Sequence, residues 1–172
     1  MTTTATLDQI RSLAKEAHAG QTDKIGSPYF WHVEAVANGL APFGVHMQMA
    51  GLLHDVIEDT KWTAQELLHA GVPGDVLLTV LAVTNVPCSY EEKIRFITRS
   101  REATLVKIAD NAHNSREDRA KHLPEDKRKR LARKYSAARK DLWAAVSEEE
   151  VRTVVSIVNP SLLKEIPEHR TA

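Results

Sequence analysis

Cysteine is almost absent from this chain of 172 residues, and its absence excludes an internal disulfide framework. The one cysteine, Cys88, lies in a turn-like segment at 85–89, and we interpret it as an unpaired loop thiol. Aromatic residues make up only 5% of the chain, so its core has to be built mainly from Ala, Leu, Val and Ile. One cysteine fits a reducing compartment, and we expect a cytoplasmic protein.

Long apolar runs and an excess of one charge are also lacking. No run approaches the roughly 18 apolar residues of a membrane span, and the N-terminus does not resemble a secretory signal. Lys plus Arg equals Asp plus Glu, 23 each, which argues against a nucleic-acid partner. One segment, 116–134, is basic, with nine Lys or Arg against four Asp or Glu. We favour a solvated helix face there over a rim that attracts polyphosphate or a nucleic-acid-binding surface.

Helical periodicity with short breaks runs through most of the chain. Apolar residues recur at i, i+3 and i+4 from residue 7 to 19, and Thr63 with Glu66 resembles a capping box. No convincing pair of strands appears. We therefore predict one all-α domain of roughly eight helices over residues 1–172. The helical segments are expected at about 7–19, 31–41, 46–59, from 63, 75–83, 90–99, 102–114, 124–143 and 148–157, with a frayed tail at 160–166.

Four ionisable residues interrupt the apolar helix predicted at 46–59. Helical spacing places His54 above Glu58 and Asp55 above Asp59, so acids and imidazole share one side of the helix. Imidazole with carboxylate suits a divalent ion such as Mn, Fe or Zn. The alternative is a helix end with solvated acids, although acids are unfavourable at the negative end of the helix dipole.

Two further segments supply partners for this cluster. His32 stands at the start of a helix, just after the loop that contains Pro28. The apolar segment 105–114 carries Lys107, Asp110, His113 and Asn114 on one helix face. A lone histidine at a helix start is usually structural, and no one of these signals is specific. We interpret His18 as a residue of the cap region at a helix end. His46, His69 and His122 have no partners at ligand spacing, so we interpret them as surface residues.

The order of these motifs is specific. A histidine, an adjacent His-Asp pair and a distant Asp on helices resemble the HD superfamily of metal-dependent phosphohydrolases. Residues 17–21, 28–32, 51–60 and 106–114 look like the hydrolase half of the Rel/SpoT stringent-response enzymes. At this length the chain is most similar to the small stand-alone alarmone hydrolases of the Mesh1 type, over about residues 7 to 145.

The resemblance implies an all-α HD fold that uses one Mn ion, or another divalent metal, to remove the 3′-pyrophosphate of guanosine tetra- or pentaphosphate. That activity belongs to the phosphoric diester hydrolases, and its partner is a small nucleotide. Carried over by motif, the metal ligands are His32, His54, Asp55 and Asp110. Glu58 and Asp59 would position and activate the attacking water. Lys24 and Asn114 occupy positions that contact the nucleotide.

Three further residues are candidates for substrate contact. Lys107 and Arg116 can neutralise phosphate oxygens, and Tyr29 can stack on a base, although packing is the interpretation we favour for it. The chain also departs from the family, with Asp23, Asn111 and Glu117 where the family often has Arg, Arg and Thr. These departures leave adenosine alarmones, another nucleotide, or a catalytically silent nucleotide-binding module as alternatives. The intact acidic pair at 58–59 argues against the silent module.

Overall fold

The computed structural model describes residues 4–167, and α-helices and short 3-10 helices form its framework. The prediction of an all-α fold is confirmed, with eleven α-helices within residues 4–167 rather than about eight. Residues 1–3 and 168–172 of the predicted domain lie outside the described range. The α-helices are α1 Leu7–Ala17, α2 Phe30–Leu40, α3 Val45–Leu53, α4 Val56–Asp59, α5 Ala64–His69, α6 Gly74–Val83, α7 Tyr90–Ile97, α8 Arg101–Asn114, α9 Glu117–Ala120, α10 Glu125–Ala144 and α11 Glu148–Val158.

Side-chain caps define where several helices begin. The predicted capping box at Thr63 is present. The Thr63 side chain accepts a hydrogen bond from the Glu66 N–H, and the Glu66 carboxylate accepts one from the Thr63 N–H. Equivalent boxes begin α1 at Thr6, α7 at Ser89 and α11 at Ser147. Two 3-10 helices, Ala41–Phe43 and Pro160–Glu165, follow α2 and α11, and each has Pro at its start. Local sequence therefore sets where these helices begin.

The helix predicted at 46–59 is divided in two. α3 ends at Leu53 and α4 begins at Val56, with His54 and Asp55 forming a turn between them. The Asp59 N–H still donates to the Asp55 carbonyl oxygen at 2.8 Å, so the backbone keeps a helix-like path through the turn. The interruption of the helix therefore falls at two of the residues that carry the predicted chemistry.

The core forms where α2, α3, α8 and α11 pack together. α2 packs against α3, α8 and α11, and α8 also packs against α11. Gly51 lets α3 approach α2 closely, because a Cβ there would lie only 2.7 Å from the Ala37 Cα. None of the helices between residues 4 and 167 combines the length and apolar character needed to cross a membrane.

The loop before α2 is closed on itself. The Tyr29 N–H donates to the Gln21 carbonyl oxygen at 2.9 Å, and residues 22 and 28 form an isolated antiparallel bridge. The Asp23 N–H donates to the Ser27 carbonyl oxygen at 2.8 Å. At the tip, Gly26 has φ +83°, a conformation that glycine adopts without strain. This closed loop, residues 21–28, carries Lys24 to the edge of the site.

Candidate metal centre and active-site pocket

Four ionisable side chains meet where α2, the α3–α4 turn and α8 come together. His32 Nε2 lies 3.3 Å from Asp110 Oδ1 and 3.6 Å from Asp55 Oδ2. His54 Nε2 lies 2.9 Å from Asp55 Oδ2 and 3.9 Å from Asp110 Oδ1. His32, His54 and Asp110 are buried, and their nearest ligand atoms all lie within 4.8 Å of one another. The structure thus brings together the four residues predicted as metal ligands.

Nδ1 of each imidazole makes a hydrogen bond, while Nε2 faces the carboxylates. The His54 Nδ1–H donates to the Gly51 carbonyl oxygen at 2.8 Å, which directs Nε2 towards the carboxylates. His32 Nδ1 lies 2.7 Å from Nδ1 of His113, a buried residue of α8. Burial, followed by the proximity of His32, lowers the pKa of His113 to about 3, so His113 is neutral. A metal ion on Nε2 of His32 would leave the proton on its Nδ1, which would then donate to Nδ1 of His113. Hydrogen bonds of this kind orient imidazole ligands at metal sites.

Both carboxylates are held by donors as well. The Tyr29 hydroxyl donates to Asp55 Oδ2 at 2.6 Å. The Lys107 ammonium donates to Asp110 Oδ2 at 2.6 Å, and the Asn114 amide donates to Asp110 Oδ1. Lys107 and Asn114 reach Asp110 because they lie three residues before it and four after it on α8. These contacts fix the carboxylates in the interior.

The electrostatics of the cluster favour protonated imidazole and ionised carboxylate. Burial opposes protonation of His54, but Asp55 and Asp110 outweigh it and raise the pKa of His54 to about 9. Burial likewise opposes ionisation of Asp110, yet Lys107 and the two imidazoles hold the pKa of Asp110 well below its usual range. Imidazole nitrogens and ionised carboxylates facing one another therefore form a site for cationic charge.

The residues present fit a divalent metal ion. His54 Nε2 is buried and, among residues 4–167, makes no well-aligned hydrogen bond, although it faces the centre of the cluster 2.9 Å from Asp55 Oδ2. Two imidazole nitrogens with two carboxylates form a donor set suited to Mn, Fe or Zn. A metal ion there would bind the buried nitrogen and neutralise the two carboxylates. An uncharged group in the same place would not neutralise them.

A pocket of about 290 Å³ opens beside the cluster. Its lining comes from the loop 21–28 with the adjoining Tyr29, the α3–α4 turn, α4, the α6–α7 loop, and helices α7 to α10. Acidic, basic, amide and aromatic side chains line it: Asp23, Lys24, Tyr29, Asp55, Glu58, Asp59, Asn85, Tyr90, Lys93, Lys107, Asp110, Asn114, Arg119, Lys134 and Tyr135. The pocket therefore joins the candidate metal centre to a group of cations.

The predicted acidic pair, Glu58 and Asp59, lines this pocket from α4. Glu58 accepts a hydrogen bond of 3.0 Å from the Asn85 N–H and another from the Asn85 side-chain amide, and Lys93 Nζ lies 3.8 Å away. Burial and the nearby Asp55 raise the pKa of Asp59 above its ordinary value. One carboxylate is thus held in a fixed orientation, while the other has an increased affinity for a proton.

The five residues predicted to contact the substrate differ in whether they line the pocket and in what they bind. Lys24 lines the pocket, with its ammonium 3.5 Å from the Tyr135 hydroxyl. Lys107, Asn114 and Tyr29 also line it, and their polar atoms are hydrogen-bonded to the candidate metal ligands. Arg116 is absent from the pocket lining among the described residues. It precedes α9, and its guanidinium binds Asp118 and the Val158 carbonyl oxygen.

Sequence reasoning missed several residues of the pocket. Arg119 and Lys134 belong to the basic segment 116–134, which we interpreted mainly as a solvated face. The charges in this segment could not show which of its residues face the pocket. Periodicity on α7 and α10 could have found part of the remaining set: Asn85, Tyr90, Lys93 and Tyr135.

Comparison with known proteins places the chain among relatives of the SpoT proteins. It is 34% identical over 135 residues to a guanosine-3′,5′-bis(diphosphate) 3′-pyrophosphohydrolase of Haemophilus influenzae, and 34% identical over 145 residues to the bifunctional (p)ppGpp synthase/hydrolase SpoT of Escherichia coli K12. These matches cover 70% and 73% of this chain, and the chain spans about a fifth of the length of both relatives. A GTP pyrophosphokinase of Streptomyces coelicolor is also 34% identical, over 146 residues, covering 76% of this chain and 17% of that protein.

Fold comparison agrees with the sequence matches. A solved structure, described as a metazoan orthologue of SpoT that hydrolyses ppGpp and has a role in starvation responses, superimposes with a TM-score of 0.70. The match covers 91% of this chain and 97% of that one at 23% identity, which establishes the shared fold. No protein-family model matches the chain. The chain is thus similar in sequence to SpoT and related enzymes over 70–76% of its length, and it shares the fold of a SpoT orthologue.

Proposed function

We propose that this protein is a Mn-dependent hydrolase that removes the 3′-pyrophosphate from guanosine 3′,5′-bis(diphosphate). The observation that carries this proposal is one pocket in which the buried cluster of His32, His54, Asp55 and Asp110 adjoins an acidic pair and several cations. The printed names of the relatives give the substrate class. Since those names include synthases as well as hydrolases, the chemistry of the pocket has to decide between the two activities.

The metal would be held by His32, His54, Asp55 and Asp110. When bound, such an ion draws negative charge from phosphoryl oxygens and increases the acidity of water. We favour Mn because a mixed imidazole and carboxylate set suits it, and because HD-type relatives imply a divalent metal. The contacts from His113, Tyr29 and Lys107 keep these four side chains in place for it.

Hydrolysis needs a water molecule directed at the phosphorus atom that is joined to the 3′ oxygen. Glu58 and Asp59 orient this water, and one of their carboxylates accepts its proton. The water oxygen bonds to that phosphorus atom, and the bond from phosphorus to the 3′ oxygen breaks. The 3′ oxygen takes up a proton, leaving guanosine 5′-diphosphate and free pyrophosphate. Asn85 holds Glu58 at the pocket wall throughout.

The test measures pyrophosphate release by the Mn-loaded protein from guanosine and adenosine 3′-pyrophosphates and from ordinary nucleotides. We expect release from the guanosine compound, with the adenosine compound reporting how strictly the base is read. Release only from ordinary nucleotides would replace the proposal with a different nucleotide phosphatase. Tight nucleotide binding without any turnover would identify a silent binding module.

Replacing the acidic pair tests the assigned chemistry. The double substitution Glu58→Gln and Asp59→Asn should lower turnover by about 10²- to 10⁴-fold, because no carboxylate then accepts the proton. Mn stoichiometry should be unchanged, since neither residue belongs to the cluster. The matched control, Glu149→Gln with Asp141→Asn, changes two exposed acids outside the pocket and should keep full turnover. Unchanged turnover in the first variant would contradict the assignment.

A further inference from the structure

Arg119 is a nearly buried cation that the cluster chemistry does not use. Its Nη1 lies 3.0 Å from Asp23 Oδ2, with the two side chains 13% and 4% exposed. Removing both charges from water is costly, and the attraction between them recovers that cost only when the surrounding contacts are good. Stability alone therefore does not explain an ion pair in the wall of the pocket.

Asp23 is fixed by the loop that carries it. Its Oδ1 accepts hydrogen bonds of 3.0 Å from the N–H groups of Ile25 and Ser27. Its Oδ2 faces Arg119 of α9. One carboxylate thus closes the loop 21–28 and also holds the guanidinium of another element, so the orientation of Arg119 depends on the loop.

Arg119 keeps donors for a ligand. A guanidinium has five N–H groups, and Asp23 is the ion-pair partner that residues 4–167 provide for Arg119. The side chain lines the same pocket as Lys24. A planar fork with donors to spare matches phosphate oxygens, which accept two parallel hydrogen bonds from arginine.

Like charges converge around Lys24. Burial lowers the pKa of Lys24, and the cations of Lys127, Arg119 and Lys134 lower it further. Lys24 and Lys134 both line the pocket beside Arg119, on three separate elements of the fold. Repulsion among cations held this close is relieved by an anion, so the group is arranged as an anion site.

We propose that Arg119, oriented by Asp23, forms with Lys24 a subsite for a phosphate group other than the one that is hydrolysed. The subsite lies between the loop 21–28, α9 and α10, whereas the candidate metal centre lies among α2, the α3–α4 turn and α8. A substrate that reaches both has phosphate at two positions. This inference rests on the proposed function, and within it selects the 5′-phosphates as the group that Arg119 binds.

Kinetics on two substrates test the subsite. Arg119→Ala should raise the KM for guanosine 3′,5′-bis(diphosphate) by about 10- to 100-fold while kcat stays within about twofold. The KM for guanosine 3′-diphosphate, which lacks the 5′-phosphates, should not change. Arg133→Ala, at an exposed position of α10 outside the pocket, is the matched control and should behave as wild type. Equal losses on both substrates, or no loss, would overturn the proposal.

A double-mutant cycle tests the role of Asp23. Asp23→Asn keeps an oxygen that accepts the loop hydrogen bonds but removes the charge that holds Arg119. We expect a smaller rise in KM than for Arg119→Ala, and the double variant should show no loss beyond that of Arg119→Ala. The double variant also avoids an unpaired buried carboxylate, so it reports on binding even if Arg119→Ala alone folds poorly. Additive losses would show that Asp23 does not act through Arg119.

Titration of guanosine 5′-diphosphate onto the Mn-loaded protein separates this inference from the proposed function. Its Kd should rise by about 10- to 100-fold in the Arg119→Ala variant, whereas that of the Arg133→Ala variant should not. Binding that depends on Arg119 without pyrophosphate release would keep the subsite and reject the proposed hydrolysis. Hydrolysis with binding that is independent of Arg119 would reject the subsite alone.

Discussion

The two ends of the pocket are built in opposite ways. At the inner end, His32, His54 and Asp110 are buried on α2, the α3–α4 turn and α8, and each makes further hydrogen bonds to its surroundings. At the outer end, Lys24 and Arg119 come from a loop and from the four-residue helix α9. Opposite charges attract one another at the inner end, whereas like charges gather at the outer end.

This difference separates chemistry from recognition. The inner end is fixed by contacts within the core, so its donor set is preserved as long as the core is intact. The outer end depends on one ion pair across two short elements, so a few substitutions there can change which phosphate group is bound. Under the proposed function, the substrate can thus change while the hydrolytic centre stays the same.

The largest expected effect comes from removing a charge at the inner end. Asp110→Asn should lower Mn-dependent turnover by at least about 10³-fold, because it deletes a carboxylate of the candidate donor set. Chelation of the wild-type protein should have the same effect, and added Mn should restore only the wild type. Asp141→Asn is the control. Normal Mn stoichiometry in the Asp110→Asn variant would show that the inner end is not the metal site.

A smaller effect is expected at His113, which contacts the candidate ligand His32. His113→Ala should weaken Mn binding by about 10- to 100-fold, since Nδ1 of His32 then lacks its buried partner. His113→Gln supplies another acceptor and should recover part of that affinity. Calorimetric titration with Mn measures both, with His69→Ala at an exposed position as control. Wild-type affinity in the alanine variant would mean that the inner end does not rely on such support.

The smallest expected effect concerns the helix packing beneath the inner end. Gly51→Ala should lower the free energy of unfolding by about 1–3 kcal/mol, because the new methyl group meets the backbone of Ala37. Urea denaturation measures this change. Gly74→Ala is the matched control, since a Cβ there meets nothing within 4 Å, and it should be nearly neutral. Equal stability of the two variants would show that α2 and α3 can move apart at no cost.

Sequence patterns predicted the inner end better than the outer end. His54 and Asp55 were conspicuous because charged residues rarely occur in an apolar helix, and i, i+3 and i+4 spacing grouped Lys107 with Asp110. The turn at 54–55 was not predicted, since the mostly apolar pattern continues through it to Ile57. Arg119 was missed for a related reason. A four-residue helix has too little length for periodicity, so nothing in the sequence distinguished Arg119 from Arg116.

The closed loop has a consequence for how this protein can diverge. Asp23 contributes one oxygen to the loop and the other to Arg119, so neither residue can change alone without leaving a buried charge unpaired. We therefore expect the two positions to covary among relatives. An acidic residue at the first should accompany arginine at the second, and both should be lost together in sequences that recognise their phosphate groups by another route.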